Sequence, residues 1–204
     1  MKKILVTGFD PFGGETTNPA LHAVMALPDV VDGIQIIREA LPTVYGKSFD
    51  VLQPILVQAR PHAAILVGQA GGRSHIAIER VAINIDDAKM ADNEGVIHTD
   101  QPIAPDGPAA YFATLPVKAI VDDLHQAAIP GAISNTAGTF VCNHVMYKTL
   151  HYAATNQTGM KAGFIHVPYL PTQTLTKPTA PSMSLDYIVA GLKIIIQTVG
   201  RDGW

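Results

Sequence analysis

Residues 34–67 read IQIIREALPTVYGKSFDVLQPILVQARPHAAILV, and this stretch decides the fold. Ile34-Gln35-Ile36-Ile37 and Ala63-Ala64-Ile65-Leu66-Val67 are short and apolar, as buried strands are, and Gly68 closes the second. Between them, residues 46–58 carry a helical pattern. A strand, a helix and a second strand in succession build a parallel sheet with a crossover helix. The same grammar extends outward. Ile4-Leu5-Val6 and Gly163-Phe164-Ile165-His166-Val167 read as strands, and residues 76–78 and 81–85 as strand pieces. Helical patterns fall at 19–27, 116–128 and 142–154. A final helix begins at Ser184, an N-cap, with Asp186 favouring its dipole and Met183 placed to pack on Ile188. The expectation is one α/β domain over residues 1–204, its open, mainly parallel or mixed sheet covered by helices on both faces. Residues 86–110 form the longest irregular stretch. Such a loop is either functional, as a lid or binding loop, or a surface excursion with a small hairpin.

Composition excludes several classes of function. Of the 204 residues, 48% are hydrophobic and 15% charged, against roughly 25% charged in an average domain. That much apolar material offsets the ordering entropy of a compact core, so disorder is excluded. Fourteen basic and seventeen acidic side chains give a net charge of −3, with no run of Lys or Arg. The footprint of a nucleic-acid binder is therefore missing. No apolar run approaches the roughly 18 residues that a bilayer helix needs. The start, MKKILVTGFDP, offers three apolar residues before Thr7, whereas a secretory h-region has about 7–15. It reads as a first strand. One cysteine permits no internal disulfide, and the expected setting is the cytoplasm.

Two glycine-rich loops fail as nucleotide signatures. Gly8-Phe9-Asp10-Pro11-Phe12-Gly13-Gly14-Glu15 has glycines at P-loop spacing, but Gly14 and Glu15 stand where Lys and Ser or Thr are needed. Gly68-Gln69-Ala70-Gly71-Gly72 misses the dinucleotide spacing. The first loop does place Phe9 and Phe12 just past a strand's carboxyl end, where open α/β sheets bind ligands. The alternative is that both rings cap the core. The eight histidines show no metal-ligand spacing, so no metal and no cofactor is expected.

Cys142 follows Asn135-Thr-Ala-Gly-Thr-Phe-Val141 at the start of a helical run. A helix N-terminus lowers a thiol's pKa and offers N–H groups to an oxyanion. A buried free cysteine is the competing reading. A thiol nucleophile needs a base from elsewhere. His144 is poorly placed, since positions i and i+2 of a helix face different ways. His166 ends a buried strand, where parallel-sheet enzymes keep their groups, although a core-edge imidazole bonded to backbone fits too. Glu79 interrupts the apolar run 76–85 and is a candidate to orient the imidazole. Simple ion pairing with Arg73 or Arg80 is its alternative.

Four blocks carry a resemblance: KILVTGFDPFGGETTNPA, GGRSHIAIERVAIN, SNTAGTFVCNHVMY and AGFIHVPYLP. In this order they resemble the pyroglutamyl peptidase I family of cysteine peptidases, over nearly the whole chain. The resemblance implies removal of an amino-terminal pyroglutamyl residue from peptides through a Cys142–His166–Glu79 triad. It also implies an open α/β fold related to nucleoside phosphorylases, and a dimer or tetramer. The substrate ring is a neutral lactam, flat, with one donor and one acceptor. Aromatic faces and a few polar groups suit it. By resemblance Phe9 and Phe12 form the walls, Phe140, Val141 and Met146 lie near the thiol, and Asn18 and Gln69 are polar candidates. Two rivals stand beside this reading: a phosphorylase-type enzyme on the related fold, and a pyroglutamyl-binding protein without catalysis.

Overall fold

Strand segments here alternate between two apolar faces, and that alternation decides where each helix packs. The computed structural model describes residues 1–201; residues 202–204 of the expected domain lie outside the described residues. In chain order the elements are β1 (Lys3–Phe9), α1 (Pro19–Met25), β2 (Val30–Val31), β3 (Ile34–Leu41), α2 (Lys47–Ala59), β4 (Ala63–Gln69) and β5 (Ile76–Glu79). Then follow β6 (Val81–Ile83), β7 (Ala110–Phe112), α3 (Val117–Gln126), β8 (Gly131–Ser134), α4 (Val141–Thr155), β9 (Lys161–Val167) and α5 (Leu185–Gly200). Seven strands form one sheet in the order β2-β3-β1-β4-β9-β5-β8. The pairs β3–β1, β1–β4, β4–β9 and β5–β8 are parallel, while β2–β3 and β5–β9 are antiparallel. The sheet is thus mixed and the fold is α/β, in a single domain.

On β4, Ala63, Ile65 and Val67 join a core with Ala20 and Val24 of α1, Leu124 of α3 and Leu192 and Ile195 of α5. Ala64 and Leu66 face the other way, toward Leu52 and Leu56 of α2 and Val145 and Leu150 of α4. The two-residue period of a strand produces this division. On β9 it sends Ile165 and Val167 to the first core and Ala162 and Phe164 to the second. His166 therefore follows Phe164 onto the α4 face.

The four internal helical patterns match α1 to α4 within two residues at each end. Ser184 caps α5, accepting from the Tyr187 amide at 3.3 Å, and Met183 and Ile188 are both buried in the first core. Residues 81–85 differ from expectation. Only 81–83 are strand, and they leave the main sheet to pair with β7 in an antiparallel ribbon. β2 and β8 are further additions at the two sheet edges. No described helix is long and apolar enough to cross a membrane.

Candidate active site

Register brings Glu79 and His166 together. In the antiparallel β5–β9 pair, Ala77 opposes His166 and Glu79 opposes Phe164, so the two polar side chains are diagonal neighbours on one face. Diagonal Cβ atoms are about 7–8 Å apart, within reach of long side chains. His166 Nδ1 stands 2.7 Å from Glu79 Oε1, and both residues are buried. Arg73, on the β4–β5 connection, donates from Nη1 to the same oxygen at 2.8 Å. Glu79 is thus paired with Arg73 and also bonded to the imidazole, so the two readings of that residue hold together. Arg80 instead lines a surface cavity with Phe112 and Pro116. Burial alone would raise the Glu79 carboxyl, but His166's hydrogen bond and charge, then the Ser134 hydroxyl and last Arg73's charge, hold it below its ordinary value.

Cys142 is the second residue of α4, as the helical pattern implies. Its sulfur lies against β4: a Cβ placed on Gly68 would stand 3.0 Å from Cys142 Sγ and 2.7 Å from Phe164 Cζ. Gly68 is the register partner of His166 on the neighbouring parallel strand. A glycine inside a strand often marks such a close approach, the signal by which Gly68 is recognisable. The expected lowering of the thiol's pKa does not occur. Although the residue is only half-buried, desolvation of the thiol and then the Glu79 charge push it up to about 12. A backbone hydrogen bond at the helix start and the Arg73 charge oppose this and do not prevail.

The aromatic candidates separate into two sets. Phe9 is buried, 6.1 Å from Phe164, whose ring is 4.7 Å from that of His166. Phe12 and Phe140 are half-buried, 6.1 Å apart, and Phe140 meets Tyr45 edge-on at 5.5 Å. Val141 and Met146 are fully buried in the second core. Asn18 is a helix cap: its Oδ1 accepts from the Ala20 amide and its Nδ2 donates to the Asp10 carbonyl. Gln69 Oε1 accepts from Gln173 Nε2 at 2.8 Å. The same Gln173 nitrogen donates to Glu15, which also pairs with Lys177. The glycine-rich first loop thus presents a paired carboxylate and no phosphate cradle.

Residues 86–103 are fastened to the chain beside both half-buried rings. Asp86 and Gln101 form an antiparallel bridge, the Asp87 amide donates to the Thr139 carbonyl, and Asn93 Nδ2 donates to the Pro11 carbonyl. Asp92 is buried and accepts from the amides of Tyr45, Glu94 and Val96. Burial would raise its carboxyl, yet these N–H groups hold it below the ordinary range. His144, set aside as a base, donates from Nδ1 to Asp86 at 2.7 Å and accepts at Nε2 from the Gly46 amide at 3.2 Å. His125 and His151 are engaged with the Gly131 carbonyl and the Tyr111 hydroxyl. No cluster of possible metal ligands occurs among the described residues. A cavity of about 400 Å³, lined by Leu56, Arg60, Tyr152 and Met160, lies at the opposite, amino-terminal edge of β4. Its lining holds no cysteine, histidine or carboxylate.

The comparisons agree with one another. The family model described as pyroglutamyl peptidase matches residues 2–202. A pyrrolidone-carboxylate peptidase of Finegoldia magna is 53% identical over 197 residues, covering 97% of this chain and 92% of the relative. One of Thermosipho africanus is 53% identical over 200 residues, covering 98% of each. The crystal structure of the pyroglutamyl peptidase I from Bacillus amyloliquefaciens superposes with a TM-score of 0.94 at 48% identity, covering 97% of this chain and 94% of that one. A mutant pyrrolidone carboxyl peptidase from Pyrococcus furiosus gives 0.93 at 45% identity, with 97% of each chain covered. With match and fold both extending from the first strand through the last helix, the chain belongs to the pyroglutamyl peptidase family.

Proposed function

We propose that this chain is a cysteine exopeptidase that removes an amino-terminal pyroglutamyl residue from peptides, with Cys142 as nucleophile, His166 as base and acid, and Glu79 as the group that orients the imidazole. The observation that carries this reading is the buried His166–Glu79 hydrogen bond of 2.7 Å, in register with the Gly68 slot against which the Cys142 sulfur rests. With Nδ1 directed at Glu79, Nε2 is the nitrogen for proton transfer. A thiol pushed up to about 12 is no ready-made thiolate, so proton removal by His166 accompanies attack of Sγ on the pyroglutamyl carbonyl. Main-chain N–H groups at the start of α4 stabilise the oxyanion. Collapse breaks the amide C–N bond, and the imidazolium returns its proton to the leaving amine. Water, deprotonated by the same imidazole, then hydrolyses the thioester to release pyroglutamate and restore the thiol.

Half-buried Phe12 and Phe140 are the proposed walls for the lactam ring. Phe9, Val141 and Met146 pack behind them, and Phe9 acts through Phe164. Asn18 and Gln69 are polar contributors whose side-chain bonds already fix the ends of α1 and β4. No metal or cofactor enters this chemistry. A homo-oligomer in the cytoplasm completes the proposal, and light scattering on the purified chain tests its size.

The deciding assay is amine release from a pyroglutamyl amide, with a prolyl amide as control. Hydrolysis of the first and not the second is expected. Because the proposed pocket has no partner for an ammonium, a glutaminyl amide should also be a very poor substrate. Equal kcat/KM for glutaminyl and pyroglutamyl amides would refute the pocket.

A further inference from the structure

Arg73 is given no part in the chemistry so far, yet it touches two of its supports. Its Nη1 donates to Glu79 Oε1 at 2.8 Å, the oxygen that also accepts from His166 Nδ1 at 2.7 Å. Glu79 Oε2 is buried and has no hydrogen-bond partner. Two donors therefore converge on one oxygen of a carboxylate that is 0% exposed. The other terminal nitrogen, Nη2, donates to the Thr136 carbonyl at 3.4 Å, on the segment that leads into α4 and Cys142. One guanidinium so bridges the carboxylate beside the imidazole and the chain ahead of the thiol.

We infer that Arg73 is a positioning residue that shares the Glu79 carboxylate with His166, orienting the imidazole without locking it as an imidazolium; this rests on the proposed roles of Cys142, His166 and Glu79. A buried carboxylate facing only an imidazole favours the protonated ring strongly, since opposite charges at that distance shift such equilibria by about 1–3 units. An imidazolium cannot accept the thiol's proton. The fixed Arg73 charge offsets the carboxylate, so His166 keeps its orientation and remains able to act as a base. The titratable and charged groups facing this pair are few: Cys142 from α4 and Arg73 from the β4–β5 connection. Phe164 on β9 and Ser134 on β8 are uncharged neighbours. Arginine suits the place because its planar fork holds Glu79 and Thr136 at once.

The test is the pH dependence of kcat/KM for a pyroglutamyl amide in the parent, Arg73→Gln and Arg73→Lys. In Arg73→Gln the acid limb should move to higher pH by about one unit, a loss of about tenfold below the limb. Arg73→Lys keeps the charge, so its limb should return to the parent's position even if the plateau is lower. An NMR titration of the His166 ring should follow the same order in all three proteins. A residue that only fastens the β4–β5 connection would lower kcat/KM equally at every pH. That result, an unmoved His166 titration, or a limb displaced as far in Arg73→Lys as in Arg73→Gln overturns the inference. Full turnover of the parent after alkylation of Cys142 would instead sink the chemistry beneath it, an outcome no limb position imitates.

Discussion

Gly68 has no side chain, and Cys142 uses the space. A methyl there would crowd Sγ and the Phe164 ring together, at 3.0 and 2.7 Å. Gly68→Ala should cost about 1–3 kcal/mol by overpacking. It should lower kcat/KM by roughly 10–100-fold, because a displacement of about 1 Å at a reacting group costs on that order. Thermal melts and kinetics on the same preparation separate the two effects. The neighbouring thiol has a raised pKa, so its thiolate fraction grows with pH up to about 12. Alkylation of Cys142 by iodoacetamide should accelerate throughout the alkaline range; a plateau above neutral pH would contradict this. His166 and Glu79 should differ in cost. On the roles proposed above, removing the imidazole takes away both the base and the acid, so His166→Ala should be essentially inactive. Glu79→Gln disturbs only orientation and charge, and a thiol depends less on its base than a serine does, so a loss of roughly 10²–10³ is expected. Parental activity of Glu79→Gln at every pH would reduce the site to a dyad.

At the scale of elements, local pattern and long-range pairing contribute differently. The helices were legible because each carries an apolar stripe, and α5 also a serine cap and a staple. The central strands were legible because runs such as Ala63–Val67 are apolar throughout. β2 has two residues and β8 four, with Gly131 first, so neither has enough apolar alternation to declare itself. Residues 81–83 look like a sheet strand, but whether they join the main sheet depends on β7, outside any local window. Cys142, His166 and Glu79 could be singled out from the sequence: the first is the lone cysteine at a helix start, the second ends a buried strand, and the third interrupts an apolar run. The rise in the thiol's pKa is not legible in the sequence, because burial of Sγ and the nearby Glu79 charge are tertiary facts. Residues 86–103 show the same limit: loop composition does not disclose the His144 latch. That imidazole donates to Asp86 and accepts from Gly46, so it serves only in its neutral form with the proton on Nδ1. His144→Ala would leave buried Asp86 with His98 at 3.3 Å as its hydrogen-bond partner. Taking a hydrogen-bond donor from a buried carboxylate typically costs about 1–3 kcal/mol. Denaturant unfolding of His144→Ala should show most of that loss, and Asp86→Asn, which keeps an acceptor, much less.

Across the whole molecule, these carboxylates and the thiol shape stability from both ends of the pH scale. Glu79 and Asp92 are buried with their carboxyls held below the reference values of 4.5 and 3.8. A group whose folded pKa is depressed binds fewer protons in the folded state than in the unfolded one. Its stabilisation is complete above the unfolded pKa and disappears as pH falls through the folded value. Glu15 is also lowered, chiefly by its hydrogen bond from Lys177, but solvent screens that pair and its share is small. The thiol works in the opposite sense. Cys142 rises from 9.0 to about 12, so the folded chain holds a proton that the unfolded chain releases, and stability falls across that interval. Burial also holds the Tyr45 phenol above its ordinary value, extending the alkaline loss. The unfolding free energy should therefore be level between about pH 5 and 8, fall below about 4.5, and fall again above about 9. Urea unfolding across that range, with Asp92→Asn and Cys142→Ser beside the parent, checks the assignment. Asp92→Asn should lose stability at neutral pH and show a shallower acid limb. Cys142→Ser should leave the acid limb intact and flatten part of the alkaline one, the remainder belonging to Tyr45. An alkaline limb identical in Cys142→Ser and the parent would mean that folding does not raise the thiol's pKa, and a steeper limb in Cys142→Ser would mean that folding lowers it, leaving less proton removal for His166 to do.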